Sequence, residues 1–181
     1  MNRFILALYS RESALAMCDQ HIRKMVTEEG QILSTCIRQV LPNIIKHEPK
    51  LSTALFRATH HEHPITVWTR AGQEPMRFAY SYFLAMANEH TYRFGTIHGS
   101  FARLFDPLRY VFNSNEFMNM PSSKKKHPQC FGEYYEMCKT DEHLPVNAYR
   151  NYYNIKQTTF KRPMTYTNRS KPEWLKEVAH A

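Results

Sequence analysis

Apolar residues between positions 13 and 41 recur every three or four residues, which is the spacing of one face of an α-helix. Pro42 ends the run, and Ser10 or Ser13 can cap its beginning. The pattern therefore predicts one long amphipathic helix over about residues 13–41. Its apolar positions are Leu15, Cys18, Ile22, Met25, Val26, Ile32, Leu33, Cys36, Ile37 and Val40.

The same spacing predicts three further helices. The first runs from about 75 to 94, with a proline in its first turn and Gly95 as its stop. The second is SFARLFDPLRYVF (100–112), which Pro107 is expected to kink or split. The third is PVNAYRNYYNIKQTTF (145–160).

The remaining segments lack a sustained period. RFILALY (3–9) predicts either a short buried strand or an extended segment that leads into the first helix. Residues 42–75 are rich in proline and predict a loop, a short helix near 50–58 and an extended ITVW stretch. Residues 113–130 predict a flexible, solvated basic loop, with phosphate contact as the alternative, and residues 161–181 a basic aromatic tail. The chain as a whole predicts an all-α, compact domain with long loops.

Composition agrees with a folded domain and suggests a class of partner. With 181 residues, 43% of them hydrophobic, the chain can bury a core, and residues 1–181 are assigned to a single domain. The net charge of +8 favours polyanions such as nucleic acid, and acidic membrane surfaces come second. The apolar run near the N-terminus is shorter than the roughly 20 residues of a transmembrane span. We therefore expect a soluble cytoplasmic protein without a membrane partner.

Cysteines and histidines do not form a recognisable metal motif. The histidines of RATHHEHP lack a partner such as H-E-x-x-H, so hydrogen bonds or phosphate contacts are favoured over a metal. No cysteine pair has the C-x-x-C spacing, and apolar neighbours predict reduced, buried thiols. The residues concerned are His60, His61, His63, Cys18, Cys36, Cys130 and Cys138.

Nucleotide cofactors are also disfavoured. The chain has only five glycines and no phosphate-binding loop, Rossmann fingerprint or nucleophile elbow. Aromatic and basic residues alternate instead in AYRNYYNIKQTTFKR, a composition that suits stacking on bases and holding phosphates. We therefore predict no cofactor and a nucleic-acid partner.

The long predicted helix contains the sequence CDQHIRKMVTEEGQ, which has an unusual number of polar groups. On a helical wheel, Glu29 points almost to the middle of the apolar stripe, whereas His21 and Glu28 share one margin of it. Burial raises the pKa of a carboxyl group and suits it to proton exchange. The alternative is a structural glutamate paired with an arginine, and the wheel favours that alternative for Glu29.

Several motifs resemble the phage pyrimidine-dimer DNA glycosylase family, also called endonuclease V. The sequence DQH is followed by a glutamate nine positions after the aspartate, behind a short segment that begins NRFILALY. KPEWLK near the C-terminus is similar to that family's ending, and HPITVW and EHTYRFG have counterparts between them. The chain is similar nearly end to end to a group of small uncharacterised phage proteins through CDQHIRKM, HPITVW and AYRNYYNIK.

This resemblance implies an all-helical glycosylase that bends double-stranded DNA, extrudes a nucleotide and attacks its C1′ atom with an amine. It implies a catalytic role for Glu28. The family uses the α-amine exposed when its initiator methionine is removed, whereas this chain begins Met-Asn. The amine candidates are Met1, Asn2, Lys24 and Lys156.

The resemblance and the basic aromatic pattern together suggest a set of DNA contacts. A noncatalytic nucleic-acid-binding protein, or a protein that binds a host factor, is the alternative on the same fold. If the chain is encoded by a phage, the host cytoplasm is the expected location. The predicted DNA-contacting residues are Arg3, His21, Arg23, His63, Arg70, Arg150, Tyr153 and Trp174.

Overall fold

Two helices of 22 residues each, α2 (Asp19–Val40) and α6 (Gln73–Phe94), pack against each other, and one or both of them pack against four other helices. The structure is a computed structural model that describes residues 2–177, and these residues form helices and connecting segments without a strand. None of the described helices is long and apolar enough to cross a bilayer. The other helices are α1 (Ser10–Ala16), α3 (Pro42–His47), α4 (Lys50–Ala54), α5 (Pro64–Thr69), α7 (Gly99–Phe112), α8 (Asn115–Met118), α9 (Tyr135–Cys138) and α10 (Val146–Thr159), with a 3-10 turn at Gly132–Tyr134.

The helix predicted over residues 13–41 is two helices, and this corrects the sequence prediction. Met17 and Cys18 adopt extended backbone angles between α1 and α2. The hydroxyl of Tyr153 accepts the Cys18 amide hydrogen at 2.8 Å, so a partner distant in sequence holds the break. Ser13 is buried and its hydroxyl accepts the amide hydrogens of Leu6 and Ala7, which fixes the N-terminal segment instead of capping a helix.

The ITVW stretch is also helical, where an extended segment was predicted. Pro64 occupies the first turn of α5, and the His63 imidazole accepts the Ile65 amide hydrogen at 3.2 Å. A proline at the first helical position costs no hydrogen bond, and a side-chain cap satisfies one of the free amides. Together they start a short helix in a sequence without a helical period.

Pro107 does not split α7, which is one continuous helix, and the expected kink stays a prediction. Leu104 and Leu108 are fully buried on one side of the helix, whereas Arg103, whose carbonyl would meet the proline, is exposed. Water can therefore satisfy the carbonyl that loses its partner. Gly95 ends α6 in a left-handed conformation with φ of 67°, as predicted.

Residues 113–130 were predicted as a solvated loop, and this is wrong in two places. Ser114 caps the short helix α8 through the Phe117 amide. His127 is only 3% exposed, and the Trp68 indole donates to the Lys125 carbonyl oxygen at 2.9 Å. Aromatic side chains thus cover part of the basic segment.

The tail from residue 161 to 177 is attached to α2 and α6 by charged groups. The Asp19 carboxylate accepts the amide and hydroxyl hydrogens of Thr167 at 2.9 and 2.8 Å, and Arg93 donates to it at 3.0 Å. Arg169 donates to Glu89 at 2.8 Å. Burial alone would raise the pKa of Asp19, but the hydrogen bonds from Thr167 and Arg93 outweigh it and lower that pKa.

The cysteines are free thiols, as predicted. Cys18, Cys36 and Cys138 are buried, and Cys130 is half-buried. Burial raises the pKa of Cys36 to about 12 and that of Cys130 to about 11. The thiolate is the reactive form of cysteine, and a raised pKa keeps both thiols protonated near neutral pH. Neither thiol is therefore activated as a nucleophile.

A buried ion pair joins the N-terminal segment to α2. The Arg3 side chain is fully buried, and its Nε donates to Glu29 Oε2 at 2.9 Å while a second nitrogen contacts Oε1. The same arginine donates to Thr69 Oγ1 at 3.0 Å. Burial raises the pKa of Glu29, and the guanidinium opposes that rise. The prediction of a buried Glu29 paired with an arginine is confirmed.

We predict that removing either partner of this pair destabilises the protein strongly. Glu29→Ala or Arg3→Ala leaves one charge buried without compensation and is expected to cost about 3–5 kcal/mol in the free energy of unfolding. Urea denaturation checks this value. Glu62→Ala is the control, because its ion pair with Arg70 is at the surface with the Glu62 side chain 82% exposed. A loss for Glu29→Ala no larger than for Glu62→Ala would contradict the prediction.

Candidate functional site

A cavity of about 660 Å³ lies between the N-terminal segment, the first half of α2 and α10. Residues 130–134 form another part of its wall. Four of the predicted catalytic residues line it, and so does His21. Met1, the fifth catalytic candidate, lies outside the described residues. The predicted site residues that line the cavity are Asn2, His21, Lys24, Glu28 and Lys156.

Glu28 is one of two carboxylates that line this cavity, and Glu133 is the other. Its Oε1 is 3.0 Å from the Lys24 ammonium nitrogen, which lies one turn earlier on α2. Its Oε2 accepts the backbone amide hydrogen of Asn2 at 3.3 Å. The Glu28 side chain is 13% exposed and that of Lys24 is 70% exposed, so the amine reaches solvent while the carboxylate is mostly enclosed. One carboxylate therefore contacts both an amine and the N-terminal segment.

Two local features produce this arrangement. Lys24 and Glu28 are four residues apart on one helix, a separation that places their side chains next to each other. Arg3 anchors the N-terminal segment to Glu29, the residue that follows Glu28, and this brings Asn2 to the cavity. The two adjacent glutamates thus have different environments, one in the core and one at the cavity.

His21 is enclosed by aromatic side chains. It is 5% exposed, stacks on Phe4 with 4.3 Å between ring centroids, and its Nδ1 is 2.8 Å from the Tyr153 hydroxyl. Burial and the positive charges of Lys156 and Lys24 lower the pKa of His21 to about 3. The imidazole is therefore neutral at physiological pH and does not serve as a proton carrier there.

Arg3 and Tyr153 were predicted to contact DNA, and the structure corrects both. Each side chain is fully buried. Arg3 is occupied by Glu29, and the Tyr153 hydroxyl is bonded to the Cys18 amide and to His21. Neither side chain can reach a DNA backbone without unfolding its surroundings.

The other predicted DNA contacts do not line the cavity. The Arg23 guanidinium lies 4.1 Å from the Phe94 ring centroid. Arg70 donates to Gln39 at 3.0 Å and to Glu62 at 3.2 Å. Their guanidinium groups support the fold, and a role in binding DNA stays a prediction.

The remaining three predicted contacts also belong to the packing of the described chain. Arg150 donates to the Leu6 carbonyl oxygen at 2.9 Å and lies 5.2 Å from the Trp174 ring centroid. Trp174 in turn packs edge-on against Tyr153. His63 caps α5. Arg150 and Trp174 connect the N-terminal segment, α10 and the tail.

The predicted site residues include none of the aromatic residues that line the cavity, although Tyr152 and Phe160 belong to the stretch that was predicted to stack on bases. Tyr152 was detectable, because it precedes Lys156 by four residues and so shares its face of α10. Phe131 and Tyr134 belong to an irregular segment and an isolated turn, where no periodic signal exists. The aromatic residues that line the cavity are Phe4, Phe131, Tyr134, Tyr152 and Phe160.

The histidine cluster does not converge on a common point. The His60 and His61 Nδ1 atoms are each 2.8 Å from a different neighbour, Thr59 and Gln39, and His63 caps a helix. Among residues 2–177, no three His, Cys, Asp or Glu side chains are grouped so that they could hold a metal ion.

No family model, curated protein or solved structure matches this chain. The motifs and the cavity are therefore the basis for assigning a function.

We predict that His21 makes stability depend on pH in the acidic range. The unfolded chain binds a proton near the ordinary pKa of 6.5, whereas the folded protein binds it only near 3. Stability is therefore lost as the pH falls from about 6.5 towards 3, by up to about 1.4 kcal/mol per pH unit.

Urea denaturation at several pH values between 4 and 6 measures this slope. For His21→Gln, the free energy of unfolding should depend less steeply on pH than for the wild type. The difference in slope is expected to be at most that of one bound proton, about 1.4 kcal/mol per pH unit. His47→Gln, at an exposed position, should keep the wild-type slope. Equal slopes for the wild type and His21→Gln would contradict the prediction.

Proposed function

We propose that this protein is a DNA N-glycosylase with lyase activity that removes a damaged or modified base from duplex DNA. The amine nucleophile is Lys24, and Glu28 is the catalytic carboxylate. The observation that carries the proposal is the 3.0 Å contact between the Lys24 amine and Glu28 within an aromatic cavity. Their positions in the motif that resembles the pyrimidine-dimer glycosylases support it, and so does the all-helical architecture.

The chemistry requires a neutral amine next to a proton acceptor. The Lys24 ammonium, which is 70% exposed, loses a proton to water, and Glu28 is within hydrogen-bond reach of the resulting amine. The free amine then forms a bond to C1′ of the extruded nucleotide, while the bond from C1′ to the base breaks and the base leaves with the electron pair. Glu28 takes a proton from the newly bonded nitrogen and passes it to the departing base. The C1′–O4′ bond then breaks, O4′ takes up the remaining proton of the nitrogen, and an imine forms between Lys24 and C1′.

The walls of the cavity suit an extruded nucleoside. Tyr152, Phe131 and Phe160 present aromatic rings, on which a base can stack with little dependence on its identity. Lys156 adds a positive charge from α10 for a phosphate or for the developing negative charge of the base. Base recognition and sugar chemistry would thus occur in one cavity.

The nucleophile differs from that of the resembling family, which uses an α-amine. The Asn2 backbone nitrogen lies 3.3 Å from Glu28, so the N-terminal segment reaches the same carboxylate. This nitrogen is an amide while Met1 is attached, and an amide nitrogen is not nucleophilic. Lys24 supplies an amine at the same carboxylate without processing of the chain.

Borohydride trapping tests this function. The wild-type protein is incubated with duplex oligonucleotides that carry damaged pyrimidines or an abasic site, and borohydride reduces any imine to a stable adduct. We expect an adduct with the wild type. Glu28→Gln should lose at least 100-fold in rate, an effect typical of removing an acid–base group, which contributes about 10²–10⁴-fold. Lys24→Arg keeps the charge and should form no adduct.

Glu12→Gln is the control variant, because Glu12 is exposed on α1 and away from the cavity. It should react like the wild type. Absence of adduct and of base release for the wild type over the whole substrate panel would contradict the enzymatic function. Salt-dependent DNA binding in that case would select the noncatalytic alternative.

DNA binding should depend on the basic residues beside the cavity. Lys161 and Arg162 are exposed and directly follow Phe160, which lines the cavity. Replacing both with glutamine should weaken duplex binding and reduce the slope of log affinity against log salt by about 1 for each phosphate that the variant no longer neutralises. Fluorescence anisotropy at several salt concentrations measures the slope.

Lys46→Gln with Lys50→Gln is the matched control for this change of charge. These lysines are exposed in α3 and α4 and do not line the cavity. A slope reduced equally by both double variants would contradict a binding surface centred on the cavity.

A further inference from the structure

The Tyr153 hydroxyl determines which nitrogen of His21 carries a proton. The Cys18 backbone N–H is 2.8 Å from the tyrosine oxygen, and an amide nitrogen can only donate. The oxygen therefore accepts this hydrogen bond, which leaves its own hydrogen to be donated elsewhere. Because Tyr153 is fully buried, that hydrogen must find a partner within the protein.

His21 Nδ1, 2.8 Å from the hydroxyl oxygen, is the acceptor that fits. The Cys18 thiol also lies close enough to interact, but sulfur is a weaker acceptor than an imidazole nitrogen. A proton on Nδ1 would leave the buried hydroxyl hydrogen with only the weakly accepting Cys18 thiol as a partner. Nδ1 is therefore the unprotonated nitrogen.

The other nitrogen of the ring carries the proton. A neutral imidazole has one N–H, so His21 holds it at Nε2. Among the described residues, no side chain or backbone group accepts a hydrogen bond from Nε2, and His21 lines the cavity. A group outside the folded chain can therefore bind to this N–H.

We infer that Tyr153 is a positioning residue that holds His21 as the Nε2–H tautomer, so that the cavity has a permanent hydrogen-bond donor for a carbonyl oxygen or ring nitrogen of the base. The identification of a base as the ligand rests on the proposed function, whereas the tautomer of His21 does not. The cavity would then select bases with an acceptor atom at this place. An imidazole that stays neutral keeps one fixed donor at any physiological pH.

Nitrogen NMR of protein labelled with ¹⁵N-histidine tests the tautomer without DNA. His21→Gln assigns the signals. Between pH 5 and pH 8 we expect a protonated Nε2, an unprotonated Nδ1 and no titration of His21. A proton on Nδ1, or titration within this range, would overturn the inference even if the protein is an active glycosylase.

Tyr153→Phe tests the positioning role. Without the hydroxyl, a measurable fraction of the Nδ1–H form should appear in the His21 signals. Tyr149→Phe is the matched control, because Tyr149 is buried on the same helix and loses its own hydrogen bond to the Pro128 carbonyl oxygen at 3.0 Å. An unchanged tautomer in Tyr153→Phe would overturn the role of Tyr153, and the wild-type spectrum remains decisive if this variant does not fold.

Titration with thymidine 5′-monophosphate, which has two carbonyl oxygens on its base, tests the ligand. We expect the Nε2 signal of His21 and its proton to shift while Nδ1 stays in place. The sugar phosphate 1,2-dideoxyribose 5-phosphate lacks both the base and the reactive aldehyde and should leave Nε2 unchanged. Absence of an Nε2 shift with millimolar thymidine monophosphate, or an equal shift with the sugar phosphate, would overturn recognition of an acceptor on the base.

Discussion

The buried ion pair between Arg3 and Glu29 determines where the N-terminal segment lies. Two charges in the core are tolerated only if they meet with good geometry, because desolvation of each one is costly. Arg3 must therefore lie against α2 at Glu29, and the preceding residue, Asn2, then comes to Glu28. The same segment contributes Phe4, which stacks on His21. The cavity is a consequence of this attachment.

Environment assigns different chemistry to groups that look equivalent in the sequence. Glu28 and Glu29 are neighbours, yet one faces an amine at a cavity and the other is neutralised in the core. The helical wheel correctly placed Glu29 in the apolar face and Glu28 at its margin, because the position of a residue along a helix determines the direction of its side chain. His21 is enclosed by aromatic rings and does not titrate near neutrality, so the proposed proton transfer is assigned to Glu28 and not to His21.

The sequence predicted the features that depend on a local period. The helices α6 and α10, the stop at Gly95, the free cysteines and the buried Glu29 all follow from spacing or neighbours. It did not predict the break before α2, because the partner of Cys18 is a tyrosine 135 residues away. The burial of Arg3 and Tyr153 was missed for the same reason. The sequence alone does not distinguish a basic or aromatic residue that packs in the core from one that contacts DNA.

The central claim is that Lys24 is the amine that reacts at the carboxylate of Glu28. The most direct measurement is the position of the reduced sugar adduct, obtained by protease digestion and tandem mass spectrometry of the trapped wild-type protein. We expect the added mass on Lys24. An adduct on Lys156 or on an N-terminal α-amine would contradict this assignment.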